Sequence, residues 1–203
     1  VQYRMHEEIM QFSSEQFYNG TLEADDSVRR HVLADLPHVE STPLTDRPVT
    51  FIDTAGADYD EELEPDGLSS RNPAEGRLVL AKARQLIDAG LSPREIAVIA
   101  PYAAQVRWLR QNAEHRALEI DTVDGFQGRE KEAVIISLVR SNREGEIGFL
   151  GDTRRMNVAL TRAKRKLIVI GDSATLGHHA FYANMLDYFQ TTENYHTVWE
   201  EDL

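Results

Sequence analysis

The chain has 203 residues, with 22 Lys and Arg against 34 Asp and Glu, a formal charge of −12, no cysteine and 41% hydrophobic residues. A chain of this length buries roughly 70% of its extended surface in one core, so it needs neither a disulfide nor a structural metal; lacking cysteine, it has no thiolate nucleophile and no Cys-based zinc site. No apolar stretch approaches the roughly 20 residues that span a bilayer, and the opening Val1-Gln2-Tyr3-Arg4-Met5-His6 lacks a signal-peptide core, so a cytoplasmic protein, or a nuclear one in a eukaryote, with no membrane partner is expected.

Met5, Ile9, Phe12 and Phe17 recur at near-helical spacing ahead of Gly20, which predicts a helix over Arg4–Tyr18. The segment 37–72 reads as mostly irregular and acidic, centred on Glu61-Glu62-Leu63-Glu64-Pro65-Asp66-Gly67 and interrupted by a strand at Val49–Asp53. It is expected to be a solvated surface loop, disordered in part. Asn72-Pro73-Ala74-Glu75 marks a helix start, with Asn as cap, Pro at the first helical position and Glu at the capping-box position. Val79, Ala83 and Leu86 supply an apolar face, and Gly90 closes that helix.

Beyond Gly90 the pattern alternates more regularly. Ile96–Ala100 is a short β-branched run, and Tyr102–Glu114 carries Val106, Leu109 and Ala113 at helical spacing. Ala133–Leu138 and Leu167–Ile170 are short, wholly apolar and β-rich. Strands apolar at every position are buried on both faces, as in a parallel sheet flanked by helices. The fold class expected is therefore α/β, a single three-layer domain over 1–203 with a mainly parallel sheet.

An acidic total argues against polyanion binding, but the charge is unevenly spread. Residues 1–70 carry four basic and sixteen acidic side chains, whereas 154–166 carries six basic and no acidic ones. That asymmetry predicts one anion-facing surface on an otherwise acidic body.

Several chemistries fail on spacing. There is no G-x-x-x-x-G-K-[ST], so the chain lacks a P-loop of its own. Gly125-Phe126-Gln127-Gly128 has too few glycines for a dinucleotide fingerprint, and His6-Glu7-Glu8 lacks the second histidine of a zincin site. His178 and His179 are adjacent and would face different sides of a helix, so no metal site is expected. Arginine remains: Arg4 near the first helix and Arg162 just before the strand at Leu167. A guanidinium stays charged and presents a rigid fork of donors to phosphate oxygens, although a surface ion pair is the commoner role for such a residue.

Gln2-Tyr3-Arg4-Met5-His6, Ala100-Pro101-Tyr102 with Gln105, Thr122 through Glu130, and Arg155 through Ala163 resemble, in order, successive motifs of superfamily 1 helicases. The likeness is to the branch of the nonsense-mediated-decay and immunoglobulin mu-binding helicases, with Val139-Arg140-Ser141-Asn142 and Gly148-Phe149-Leu150 most similar to the latter. The resemblance covers the second RecA-like domain of such a motor. It implies that the first domain, with the P-loop and the residues for Mg²⁺, lies before Val1.

By motif, the resemblance implies that Arg4 and Arg162 are arginine fingers to the γ-phosphate of ATP bound between the domains. Gln127, Gly128 and Glu130 would lie in the same cleft, Glu130 toward the ribose. It places Pro101, Tyr102, Thr122, Ser137, Arg140, Asn142 and Asn157 in a groove for single-stranded DNA or RNA. It further implies 5′ to 3′ translocation by the whole protein and an isolated chain without ATPase activity. The alternative is a degenerate helicase half that only binds nucleic acid or protein; retention of Arg4, Gln127 and Arg162 weighs against it.

Overall fold

The computed structural model describes residues 1–126 and 128–200. Six strands form one sheet in the order β5-β4-β6-β7-β1-β8: β1 (Val49–Asp53), β4 (Ile96–Ile99), β5 (Glu119–Asp121), β6 (Lys131–Ser137), β7 (Ala163–Gly171) and β8 (Tyr195–Thr197). Every pairing in that sheet is parallel. Parallel strands are buried on both faces, and alternate residues of each strand enter two separate cores. Val134, Ile136, Val169 and Phe51 enter one core, and Ile135, Ile168, Ile170 and Ile52 enter the other.

The first core is covered by α1 (Glu7–Phe17), α5 (Thr153–Leu160) and α7 (Ala180–Thr191), the second by α3 (Pro73–Asp88) and α4 (Ala103–Asn112). This is the three-layer α/β arrangement of a RecA-like domain, as the apolar runs predict. A four-residue α2 (Pro43–Asp46), a short α6 (Ser173–Leu176) and an antiparallel hairpin of β2 (Glu62–Leu63) and β3 (Ser70–Arg71) complete the chain's elements.

Three expectations need correction. The first helix starts at Glu7, not Arg4, because His6 Nδ1 accepts the Glu8 backbone N–H at 3.0 Å and caps it. The start of α3 has its Asn cap and its N-terminal Pro, but no capping box. The Asn72 N–H donates instead to Gln105 Oε1 at 2.9 Å, and Glu75 turns into the core. Finally, 37–72 is more regular than an irregular loop: besides the expected strand β1, which lies buried between β7 and β8, it carries α2, β2 and β3.

The basic run 154–166 does not form one surface either. Arg155 faces Asp124 and Asp152, Arg165 pairs with Glu132 at 2.9 Å, and Lys166 is buried, donating to Thr50 Oγ1 at 2.7 Å. A helix-to-strand transition inside the run sends its charges in different directions.

Candidate nucleotide and nucleic-acid sites

Residues 1–5 form a turn tied by one side chain. Gln2 Oε1 accepts the backbone N–H groups of Arg4 at 2.8 Å and Met5 at 2.7 Å, and Gln2 Nε2 donates to the Met5 carbonyl at 2.8 Å. Arg4 is thereby held ahead of α1. Its guanidinium donates to the Thr161 carbonyl at 3.1 Å and pairs with the Glu130 carboxylate. Arg162, the residue between α5 and β7, donates to the carbonyls of Val158 at 3.0 Å and Arg129 at 3.2 Å, and to the Thr161 hydroxyl at 3.4 Å.

Both arginines thus meet at Thr161, and the electrostatics register it. Burial first, and then the charge of Arg4, draw the Arg162 pKa down, while Glu130 opposes them. Lys164 Nζ stands 3.9 Å from the same Glu130 carboxylate. Glu132 is equally close to Lys164, so three cations face two carboxylates and a smaller excess of positive charge remains, while the Arg162 fork is fixed by carbonyls rather than by a counter-ion. Such an arrangement suits an anion bearing several charges. Gly128 is exposed with φ +78°, in the left-handed region that favours glycine, and Gln127 lies outside the described residues.

Lys131 pairs with Ala163 across β6 and β7, so Glu130 and Arg162 stand side by side at the N-terminal edge of the sheet. The second set of candidates stands at the opposite, C-terminal edge. Pro101 and Tyr102 follow β4, Thr122 follows β5, and Arg140 and Asn142 follow β6. Pro101 and Thr122 share a shallow cavity of about 30 Å³ with Phe149 and Arg155. The Tyr102 hydroxyl accepts from Arg140 Nη1 at 2.9 Å and from the Phe149 backbone N–H at 3.1 Å.

Phe149 stacks on Tyr102 with ring centroids 5.1 Å apart, and it is 63% exposed while Tyr102 is buried. The exposed aromatic surface at this edge is therefore Phe149, which the residue-level reading does not single out. The signal was an unpaired Phe in a glycine-flanked turn, Gly148-Phe149-Leu150-Gly151.

Arg140 is aimed by a strained backbone. Val139 has φ +69°, an outlier for a β-branched residue, and closes a γ-turn in which the Arg140 N–H donates to the Leu138 carbonyl at 2.7 Å. Such strain costs on the order of 1–3 kcal/mol and persists only where the surroundings impose it. Here Glu75 Oε1 accepts the Val139 N–H at 2.7 Å, and Asn72 Nδ2 donates to the Val139 carbonyl at 3.0 Å.

Ser137 belongs to that support and not to a contact surface. It is fully buried, its hydroxyl donating to Glu75 at 2.6 Å and accepting from Gln105 at 3.1 Å, so its placement in a strand-facing groove is corrected. Asn157 lies along α5, apart from the residues after β4 and β6, with a buried Oδ1 that has no hydrogen-bond partner. Larger clefts lie elsewhere, one of about 690 Å³ beside Arg47 and His196 and one of about 640 Å³ along β5. Among the described residues no helix is long and apolar enough to cross a membrane.

A six-stranded parallel sheet covered on both faces by helices has the build of a RecA-like domain. The chain belongs to the AAA domain family AAA_12, whose model matches residues 1–174. It is 52% identical over 98% of its length to DNA-binding protein SMUBP-2 of Rattus norvegicus, covering 20% of that protein. It is 46% identical over 87% of its length to DNA polymerase alpha-associated DNA helicase A of Schizosaccharomyces pombe, covering 28%. It is 38% identical over 94% of its length to a Regulator of nonsense transcripts 1 homolog of Drosophila melanogaster, covering 16%.

The chain thus spans between 16% and 28% of the length of these curated relatives. These relatives bear out the likeness to the helicase branch read from the motifs. A crystal structure described as the C-terminal domain of a possible DNA helicase from Lactobacillus shares the fold, with a TM-score of 0.53, 13% identity, and coverage of 97% of this chain and 99% of that one.

Proposed function

We propose that this chain is the second motor lobe of an ATP-dependent helicase. It supplies arginines to a triphosphate held mainly by another lobe, together with one wall of a groove for single-stranded DNA or RNA. The observation that carries the reading is the meeting of Arg4 and Arg162 at Thr161 at one strand edge, with Arg140 and Phe149 at the other.

ATP is the substrate. Water attacks the γ-phosphorus as the bond to the β–γ bridging oxygen breaks, and charge spreads over the γ-phosphate oxygens. Guanidinium groups placed there stabilise the transition state more than the bound substrate, an effect worth roughly 10³ to 10⁵ in rate. The cation excess around Glu130 fits that anion. Mg²⁺ would neutralise charge on the phosphates and is assigned to the other lobe. Gln127 and Gly128 would line the same cleft; Glu130, already engaged by Arg4, would adjust as the phosphate arrives rather than serve the ribose alone.

At the far edge, Phe149 offers a stacking surface, and Pro101, Thr122, Arg140 and Asn142 offer backbone contacts that read no sequence, with Tyr102 as the buried base of the platform. Asn157, on α5 and apart from these turns, has a buried Oδ1, which weighs against it as a contact of the strand. Cleft closure on ATP and opening after hydrolysis would shift the grip on the strand by a hinge motion.

The test is the ATPase rate of the full-length protein with and without single-stranded DNA and RNA. Strand-dependent stimulation is expected; a rate indifferent to any strand would contradict the motor reading. The chain by itself, lacking a P-loop, is expected to show no turnover.

A further inference from the structure

The carboxylate of Glu61 is held as a phosphate would be. Arg140 Nε donates to its Oε2 at 2.6 Å and the Ser141 backbone N–H donates to the same oxygen at 3.0 Å. Arg140 Nη2 and Asn142 Nδ2 donate to Oε1 at 3.2 and 3.0 Å. Each oxygen therefore receives two donors, all from the three-residue turn that follows β6. That turn is rigid: Val139 is clamped from below, the Ser141 hydroxyl donates to Asp172 at 2.7 Å, and the Asn142 N–H donates to Thr175 at 3.0 Å.

A guanidinium fork, a backbone N–H and an amide converging on two oxygens make an oxyanion receptor, and the two non-bridging oxygens of a nucleic-acid phosphate have a bite similar to a carboxylate's. The receptor shares Tyr102 with the exposed Phe149 ring, so a phosphate seated here would place a neighbouring base against an aromatic face.

The segment that delivers Glu61 is held more loosely. It is the acidic stretch around β2, anchored by a two-residue hairpin, by half-exposed ion pairs of Glu62 with Arg71 and Glu64 with Arg107, by the Glu61 N–H donating to the Ser141 carbonyl at 3.3 Å, and by Asn72 Nδ2 donating to the Tyr59 carbonyl at 2.7 Å. Ion pairs that face solvent on one side contribute little, so what the strand must displace is chiefly the Glu61 carboxylate and its one backbone bond to Ser141. Ahead of Glu61 the segment packs Ala57 and Tyr59 on the second core, but beyond it Leu63 and Leu68 are both exposed and do not tie it down.

We propose that Arg140, Ser141 and Asn142 form a backbone-phosphate site for a single strand, and that Glu61 is its built-in occupant, displaced when the strand binds. This rests on the helicase-lobe reading and adds to it a self-competing contact. In the resting protein Arg140 is already neutralised, so its exchange of carboxylate for phosphate releases no counter-ion on balance. Removing the Glu61 charge exposes the receptor and restores that release.

The test is anisotropy of a fluorescent oligo(dT) with the full-length protein across a salt series, without nucleotide. Glu61→Gln, which retains an oxygen for the receptor and the size of the side chain, is expected to tighten binding roughly three- to tenfold at low salt. It should also steepen the slope of log affinity against log salt by about 0.7. Glu61→Ala should move both quantities the same way. Adding Arg140→Ala to Glu61→Gln should abolish the gain.

Weaker binding in both Glu61 variants would show that the carboxylate merely props the turn, overturning the proposal while leaving the strand-binding face intact. If the wild type and all three variants bound the oligonucleotide with one affinity and one slope, this edge would not be strand-facing, and the helicase-lobe placement of the groove would fail with it.

Discussion

Arg4 reaches across 157 positions to the residue beside Arg162: Arg4 donates to the carbonyl of Thr161 at 3.1 Å, and Arg162 to its hydroxyl at 3.4 Å. Thr161 is the C-cap of α5, whose last turn leaves carbonyls without helical partners. Two guanidiniums at a helix C-terminus are favoured by its partial negative charge, which offsets part of their mutual repulsion. The pairing therefore follows from local structure, and it leaves the two cations side by side for a multiply charged anion.

Loss of the Phe149 ring should be felt by the strand. Base stacking on an aromatic side chain is worth about 1–3 kcal/mol per base, so Phe149→Ala is expected to weaken oligo(dT) or oligo(U) binding by about 5- to 150-fold. Because the ring is 63% exposed, unfolding temperature should change little. Unchanged strand affinity with an intact fold would remove Phe149 from the groove.

Gly148 permits the contact beneath that ring. Its φ is +51°, and a Cβ added there would fall on Arg140 Nη1 and the Tyr102 hydroxyl. Gly148→Ala is thus expected to separate Arg140 from Tyr102 and to weaken strand binding, most of all in the salt-dependent part. Titration with the same oligonucleotides at two salt concentrations checks it.

Glu75 makes stability fall as pH rises from the acid range to neutrality. Burial pushes its carboxyl up to about 7, against hydrogen bonds from Ser137 and Val139 that lower it. Between about 4.5 and about 7 the folded protein holds the proton more tightly than the unfolded chain, so stability is lost as pH rises through that window. Glu75→Gln can keep both donors on one oxygen and carries no charge to bury. At pH 8 it is expected to stabilise the fold by on the order of 1–3 kcal/mol, with little effect at pH 5, as read by thermal unfolding at the two pH values.

His6 acts at the acid end. Burial, then the charge of His31, push it down to about 4, with Asp35 opposing. The neutral ring caps α1 through Nδ1, which protonation would block. Between about 6.5 and about 4 the unfolded chain holds more protons, so stability drops as pH falls through that range, by about 2–3 kcal/mol in total. His6→Asn supplies a cap that does not titrate there, and its unfolding temperature should vary less between pH 7 and pH 4.5 than that of the wild type.

Much of the fold is legible in the sequence because parallel strands announce themselves. Ile96–Ile99, Ala133–Ser137 and Leu167–Ile170 are apolar at nearly every position, and the Asn72-Pro73 start and Gly90 stop bracket α3. β5 escapes because it has only three residues, two of them acidic, and β8 because Tyr195-His196-Thr197 is polar at a sheet edge. The face of Tyr182, Met185, Leu186 and Phe189 in α7 has helical spacing that could have found it.

The site is legible where motifs name residues and opaque where tertiary contacts decide roles. Local pattern cannot tell that Ser137 points inward, that Glu75 abandons a capping box for Val139, or that an acidic stretch around Glu61 lies on Arg140. Each of those facts depends on residues more than 60 positions apart.

The central claim is that this chain completes a triphosphate site with its arginines, and Arg162→Ala in the full-length protein tests it most directly. With saturating single-stranded DNA or RNA, steady-state ATPase is expected to fall by about 10³-fold or more, while affinity for ATP stays within a few fold. Turnover at the wild-type rate in a folded Arg162→Ala protein would contradict the account.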